Sequence, residues 1–243
     1  MEDRVFGIAV RRRLLMKGAR LLGVPSVVTQ CPNRAKNGTV CGATVEADMR
    51  HALTCQSGGG RNTRHNAVRD FLARWVQERV DSTVLTEQIV SQWARKHGEL
   101  VEQAQLDVTW NQPGRKHCID VVLVAPDDGS EAVERVRADR PGLAAKRAEE
   151  AKHRRYPTAH GTPRLTPFAI EHMGRVGDEA RTWLRELVRR TDEDPHGSVD
   201  SVAFWQGLSA VVQSACVEQL LVMCAPCDGA AQMGAPCGGA AQT

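Results

Sequence analysis

Two groups of residues in this chain have the types and spacing that chemistry needs. The first is Cys31-x9-Cys41-x9-His51-x3-Cys55. Three thiols and an imidazole suit tetrahedral Zn²⁺, and a closed set of four ligands implies a structural ion, because catalytic zinc keeps one position open. The first gap is wide for a clasp that is more often Cys-x2-Cys. Arg34 stands where the second cysteine would fall, and Asn33 to Val40 reads as a polar insertion with Gly38 at its turn. The alternative is three unrelated cysteines beside a surface histidine. His65, in Arg64-His65-Asn66, is either a further ligand or a polar residue at a helix start.

The second group is Asp107 and Asp120, which fall in two predicted strands separated by the turn sequence Asn111-Gln112-Pro113-Gly114. Carboxylates on neighbouring strands can share one hard divalent cation, Mg²⁺ or Mn²⁺. Such an ion lowers the pKa of a bound water and clamps a phosphate oxygen, as phosphodiester hydrolysis requires. Asp120 is followed by Val121-Val122-Leu123-Val124, and an aspartate in so apolar a strand is costly unless paired or metal-bound. On the other reading Asp107 caps a turn and Asp120 pairs with an arginine at a sheet edge. Glu87 and Glu171, each within a predicted strand, are candidate accessory acids. Lys152 and Tyr156 are four apart on a predicted helix and share a face, so both can point at one place, with Glu149 steadying Lys152.

The elements that must position these groups follow from periodicity. Residues 5 to 22 read as an amphipathic helix, and Gln56 to Gly60 as a glycine-rich hinge. Asn62 or Thr63 is expected to cap a helix whose apolar stripe is Val68, Phe71, Leu72, Trp75, Val76 and Val80. Strands are predicted at 83–90, 106–110, 118–125 and 164–171, with helices over 131–155, 178–190 and 199–224. The expected class is α/β. The division is a basic arm and zinc knuckle at 1–60, an α/β domain at 61–192, a C-terminal helix at 193–224 and a tail at 225–243. That tail repeats Ala-Pro-Cys-x-Gly-Ala-Ala-Gln and has too little apolar bulk to order itself. Two of the later cysteines, Cys227 and Cys237, fall there, which weakens any second metal set with Cys216 and Cys224.

Lysine and arginine number 32 against 29 acids, so the net charge of +3 does not by itself mark a nucleic-acid binder. The cations are clustered, however. Arg11, Arg12 and Arg13, with Arg61, Arg64, His65 and Arg69 beyond the knuckle, are the candidate DNA contacts. No stretch approaches the ~18 apolar residues of a membrane span. Without a secretory signal the eight cysteines read as thiols or metal ligands, and the compartment as nuclear or cytoplasmic.

These residues also carry a resemblance. Cys41-Gly42, His51-Ala52-Leu53-Thr54-Cys55, Gly58-Gly59-Gly60-Arg61 and Arg64-His65-Asn66-x2-Arg69-Asp70 together resemble the carboxy-terminal region of site-specific non-LTR retrotransposon proteins and related reverse-transcriptase reading frames. The similarity continues through Leu106-Asp107-Val108-Thr109, Ile119-Asp120-Val121-Val122, Ala151-Lys152-x3-Tyr156 and Phe168-Ala169-Ile170-Glu171-x2-Gly174, covering about residues 5 to 224. The resemblance implies a restriction-endonuclease-like core of the PD-(D/E)XK superfamily (helix, three strands, helix, strand) behind a zinc knuckle. It also implies a DNA-nicking activity, with element RNA a further partner. Asp107 matches the first acidic position and Asp120 the second. Leu106 replaces the usual proline, and Val122 stands where the superfamily's lysine normally follows, so Lys152 is expected to supply the displaced cation. No reverse transcriptase precedes the region in this sequence, so a detached element is expected, and a catalytically inactive nucleic-acid-binding remnant is the alternative.

Overall fold

The structure is a computed structural model and describes residues 2–13, 16–24, 27–80, 83–125, 140–192 and 201–224. The repeat tail, with Cys227 and Cys237, the first part of the predicted charged helix and the side chain of Arg13 lie outside the described residues. Four helices come first: α1 (Asp3–Arg13), α2 (Gly18–Leu22), α3 (Arg50–Thr54) and α4 (Gly60–Gln77). Five strands follow: β1 (Leu85–Ile89), β2 (Arg95–His97), β3 (Leu100–Glu102), β4 (Gln105–Gln112) and β5 (Arg115–Val124). The chain closes with α5 (Leu143–Arg155), β6 (Arg164–Glu171), α6 (Asp178–Asp192) and α7 (Ser201–Leu221).

Strands β1, β4, β5 and β6 form one four-stranded sheet in that order. The first three run antiparallel, and β6 lies parallel to β5 from His117↔Arg164 to Val124↔Glu171. A parallel neighbour needs a crossover, and α5 lies in it. Side chains alternate across β5. Ile119 and Val121 join Val108, Trp110, Phe168 and Ile170 in the main core, under α4, α6 and α7. Cys118 turns the other way, into a smaller cluster with Val90, Trp93, Ala104, Leu106 and Tyr156.

The predicted order of elements is present, with three corrections. Residues 5–22 are two helices, and Gly23 ends the second in a left-handed conformation. α4 starts at Gly60 after a left-handed Gly59, so Asn62 and Thr63 lie inside its first turn and neither is the cap. The β2–β3 hairpin was not expected; its strands are three residues each, too short for a periodic signal. Arg95 on that hairpin donates to the carbonyls of Arg154 (3.1 Å) and Arg155 (2.8 Å), closing the C-terminus of α5.

Buried side chains from the expected divisions 1–60, 61–192 and 193–224 pack together. One buried cluster runs from Ile8 and Leu21 through Cys31, Met49, Leu53 and Cys55 to Val68, Leu72 and Trp75, and on to Phe204, Leu208 and Val217. The helix α7 is its centre: it packs on α1, α3 and α4, and its Phe204 meets Trp75 edge-on with ring centroids 4.6 Å apart. Arg64 ties the three layers from inside, donating to Gln219 Oε1 (2.9 Å) on α7 and to the Leu53 carbonyl (3.0 Å) on α3. No helix among the described residues is long and apolar enough to cross a membrane.

Glu149 on α5 does not steady Lys152. It is buried, and its Oε1 accepts the Glu179 N–H (3.1 Å) in the first turn of α6, a favourable place for a carboxylate at a helix N-terminus. A Cβ on Gly177 would collide with it. Burial nonetheless raises the Glu149 pKa from 4.5 to about 7, with the Glu179 N–H opposing and the Glu179 charge adding to the rise. A carboxyl whose pKa is raised by folding contributes stability below its unfolded value and loses it as pH rises through the folded one. Melting temperature should therefore fall between pH 4.5 and 7 in part through this group, and Glu149→Gln, which keeps the acceptor, should flatten that segment of a pH series. An unchanged slope in the variant would remove Glu149 from the cause.

Candidate metal centre and carboxylate site

The wide first gap of the cysteine cluster is a small hairpin. Arg34 bridges Val40, Ala35 N–H bonds to Thr39 O, and Cys41 N–H returns to Asn33 O at 2.7 Å. The turn at Gly38 has φ +84°, where a side chain would be strained. The polar insertion is thus the device that brings Cys41 back beside Cys31. His51 lies on the one-and-a-half-turn α3 and Cys55 caps its C-terminus, with the Cys55 N–H on the His51 carbonyl at 2.8 Å holding the two on one side. His51 N–H is itself anchored on Glu46 Oε2 at 2.9 Å.

The four ligand atoms lie within 4.8 Å of one another. Cys31 Sγ and Cys55 Sγ are 3.6 Å apart, and Cys41 Sγ and His51 Nε2 3.4 Å. Tetrahedral bonds of ~2.3 Å to sulfur and ~2.0 Å to nitrogen put such pairs roughly 3.5–3.8 Å apart, whereas a disulfide would need ~2.05 Å. The spacing fits a metal such as zinc. Burial raises the Cys31 thiol to about 12. Burial acts the same way on Cys55, but there the Asn33 side chain and the Ser57 N–H outweigh it and bring the thiol below its usual value. Donors of this kind to a ligating sulfur tune a metal site from its second layer. Among the described residues this is the set of three or more His, Cys, Asp or Glu side chains whose ligand atoms converge.

The carboxylates meet on the sheet, on either side of a break in its ladder. β4 and β5 pair up to Val108↔Ile119. One rung further the Asp107 side chain takes the place of backbone: its Oδ2 accepts the Val121 N–H at 2.6 Å. On the other flank, β1 pairs Thr86↔Val108 and Gln88↔Leu106 and skips the rung between them. Glu87, opposite Asp107, is left-handed at φ 53°, a conformation that costs a non-glycine residue roughly 1–2 kcal/mol. Asp107 Oδ2 also meets His65 Nε2 from α4 at 3.2 Å.

Asp120 lies on the α5 side of β5, 4% exposed. Lys152 Nζ reaches down from α5 to its Oδ2 at 2.6 Å. Burial raises the Asp120 pKa to about 6; the Lys152 ammonium works against that rise and the adjoining Asp107 carboxylate adds to it. His65 is raised in turn, first by its bond to Asp107, with burial opposing. Four ionisable groups from α4, β4, β5 and α5 thus share one locus. Three of them, Asp107, Asp120 and Lys152, are candidate catalytic residues by sequence; His65 was expected as a DNA contact and is a partner of Asp107.

The remaining candidates lie elsewhere. Tyr156 is buried against Trp93 (ring centroids 5.4 Å) and accepts from Arg155 Nε (3.1 Å), one turn beyond Lys152 and inside the smaller apolar cluster. Its backbone has already left the helix, as the residue capping α5, so the shared face with Lys152 does not hold. Glu87 pairs with Arg69 on the exposed side of α4. Glu171 closes the other end of β6, opposite Val124, where its Oε1 accepts the Ala145 N–H (3.4 Å). Of the expected DNA contacts, Arg69 is held by Asp70 and Glu87, Arg64 is buried in the core, and Arg61 is exposed. Arg11 and Arg12 are half-buried, not a free arm; Arg12 Nη1 donates to the His172 carbonyl at 2.9 Å.

No protein-family model matches the sequence, and no curated protein matches it.

The ligand geometry generates a direct expectation. Purified protein should carry one Zn²⁺, and Cys55→Ser should release it. Because Cys31 and Cys55 belong to the main core, release should also lower the melting temperature of the whole chain. Metal analysis that finds no zinc, with a melting temperature indifferent to chelator, would refute the assignment.

Proposed function

We propose that the chain is a metal-dependent DNA endonuclease module stabilised by a structural zinc knuckle, and that it is related to the carboxy-terminal nuclease region of site-specific non-LTR retrotransposon proteins. The observation that carries this reading is the junction of Asp107, Asp120 and Lys152, with Lys152 Nζ 2.6 Å from Asp120 Oδ2. The element order α4, β1, β4, β5, α5, β6, with β6 parallel to β5, supports a restriction-endonuclease-like core. Lysine is absent after the second acid, where Val122 stands, and its charge is present nonetheless, delivered from the next helix.

The donor set suits a hard cation. Mg²⁺ takes one or two carboxylates and fills its other positions with water and substrate phosphate, and Asp107 and Asp120 are two adjoining carboxylates. When bound there, such an ion would supply a water of lowered pKa and neutralise phosphate charge. The protein's own groups have separate tasks. Val121 N–H and His65 fix the Asp107 carboxylate in place. Lys152 keeps Asp120 ionised and is itself part-exposed, at 23% of its side chain, so it can turn to a phosphate oxygen as charge builds in the transition state. The DNA substrate implies a nuclear setting.

One observation favours a second reading, a binding-only remnant: Asp107 is already hydrogen-bonded by His65 and Val121, Asp120 is ion-paired with Lys152, and neither Glu87 nor Glu171 adds a third acid to them. A plasmid-nicking assay with Mg²⁺ or Mn²⁺ separates the two. Wild-type protein should nick, and Asp107→Ala and Lys152→Ala should each lose ~10²-fold or more while duplex affinity changes little. Nicking that survives Lys152→Ala would contradict the assigned role, and wild-type protein that binds DNA without nicking it would establish the remnant.

A further inference from the structure

A cavity of about 280 Å³ opens beside the carboxylate site, between the start of α4 and the last residues of β5. Gln56, Gly59, Arg61, Arg64, His65 and Leu123 are on its wall. His65 therefore lines the cavity while its Nε2 bonds to Asp107. The charges around this cavity are one-sided. Arg61 and Arg64 are on its wall and the charge of Arg12 reaches Arg64 from behind; among the described residues none of the three has an ion pair. Their acceptors are all neutral: the His172 carbonyl for Arg12, Gln56 Oε1 (2.6 Å) for Arg61, and Gln219 Oε1 with the Leu53 carbonyl for Arg64.

The field of the three is legible in a fourth residue. His172 is buried, and burial, aided by Arg64, Arg12 and Arg61 in that order, holds its pKa down to about 2. It therefore stays neutral and adds no charge. Arg64 is 2% exposed and its Nε has no hydrogen-bond partner, although a buried donor left unpaired is costly. α4, eighteen residues long, begins here with no side-chain cap, so its first amides and the positive end of its dipole face the same space. Clustered guanidiniums without counter-charge, an open cavity and an uncapped helix start call for one kind of ligand, a tetrahedral oxyanion.

We infer that this cavity is a phosphate-binding pocket that seats a backbone phosphate of the DNA strand next to the one presented to Asp107 and Asp120, with Arg61 as its direct ligand. The assignment rests on the proposed nuclease function. Arg61 is the exposed member of the three and can leave Gln56 for a phosphate. Arg64 and Arg12 act from behind as fixed positive charge. His65 stands between the two phosphates, so the pocket sets the register of the strand at the carboxylates. Phosphate contacts of this kind position a nucleic acid without reading its sequence.

The test uses the full zinc-loaded chain and two probes, inorganic phosphate and a short DNA duplex. Millimolar inorganic phosphate should shift the amide resonances of Gly60, Arg61 and Asn62. Arg61→Gln should abolish those shifts, and Arg147→Gln, an equal charge change on the exposed face of α5, should keep them. With the duplex, Arg61→Gln should lower the slope of log affinity against log salt by about 1. Absent shifts together with an unchanged slope would overturn the pocket. Shifts with phosphate but an unchanged slope for DNA would assign the pocket to free phosphate and overturn its place on the strand. Wild-type protein that responds to phosphate and binds no duplex would overturn the nuclease reading and leave the anion pocket standing.

Discussion

Burying a carboxylate in the middle of a sheet strand costs several kcal/mol unless its charge is matched and its lone pairs are satisfied, and β5 does so at Asp120, 4% exposed. Much of the molecule is arranged around that constraint. α5 must cross over β5 close enough for Lys152 to reach it, and the β2–β3 hairpin closes the C-terminal end of α5 through Arg95. Glu149, one turn before Lys152, holds the start of α6 and so ties the same helix from its other side. Asp107 adds to the cost by lying next to Asp120, and its own charge is held by a backbone N–H and His65. Two adjoining acids with a raised pKa on one of them make this locus the candidate functional site.

The Cys31, Cys41, His51 and Cys55 cluster takes part in this arrangement at a distance. Cys55 is followed directly by the turn that starts α4, where Gly58 N–H bonds to Arg34 O in the hairpin of the knuckle. Arg64 then joins α4 to α3 and α7, and His65 is the next residue. The ion that fits between Cys31, Cys41, His51 and Cys55 would therefore fix the position from which His65 meets Asp107. The knuckle shares one buried core with the α/β sheet, so its folding and that of the sheet are a single problem of packing.

Much of this was legible in the residues. The four converging Cys and His side chains were identifiable as a metal-ligand set from type and spacing, since few other uses place three thiols and an imidazole so closely. β6 was identifiable residue for residue, from Arg164 to Glu171. Lys152 could be linked to Asp120 because the helix that follows β5 has to pack back over the sheet. What stayed hidden lay in irregular backbone or in long-range pairing. The skipped rung at Glu87 has no sequence signal, so Glu87 looked like a site acid and is instead the partner of Arg69. Tyr156 was placed on the Lys152 face by extending α5 one residue too far. The clustered arginines looked alike in the sequence, yet one is solvent-facing, one is core and one is neutralised, a distinction that only α7 and the β1 edge create.

If the proposed chemistry is right, Asp120 is kept at the expense of stability. Asp120→Asn measures both sides at once. The account predicts that at pH 7 the variant melts no lower than the wild type, since a buried charge has been removed and part-exposed Lys152 can turn to water, while Mg²⁺-dependent nicking is lost. A variant that melts well below the wild type, or one that still nicks DNA, would contradict it.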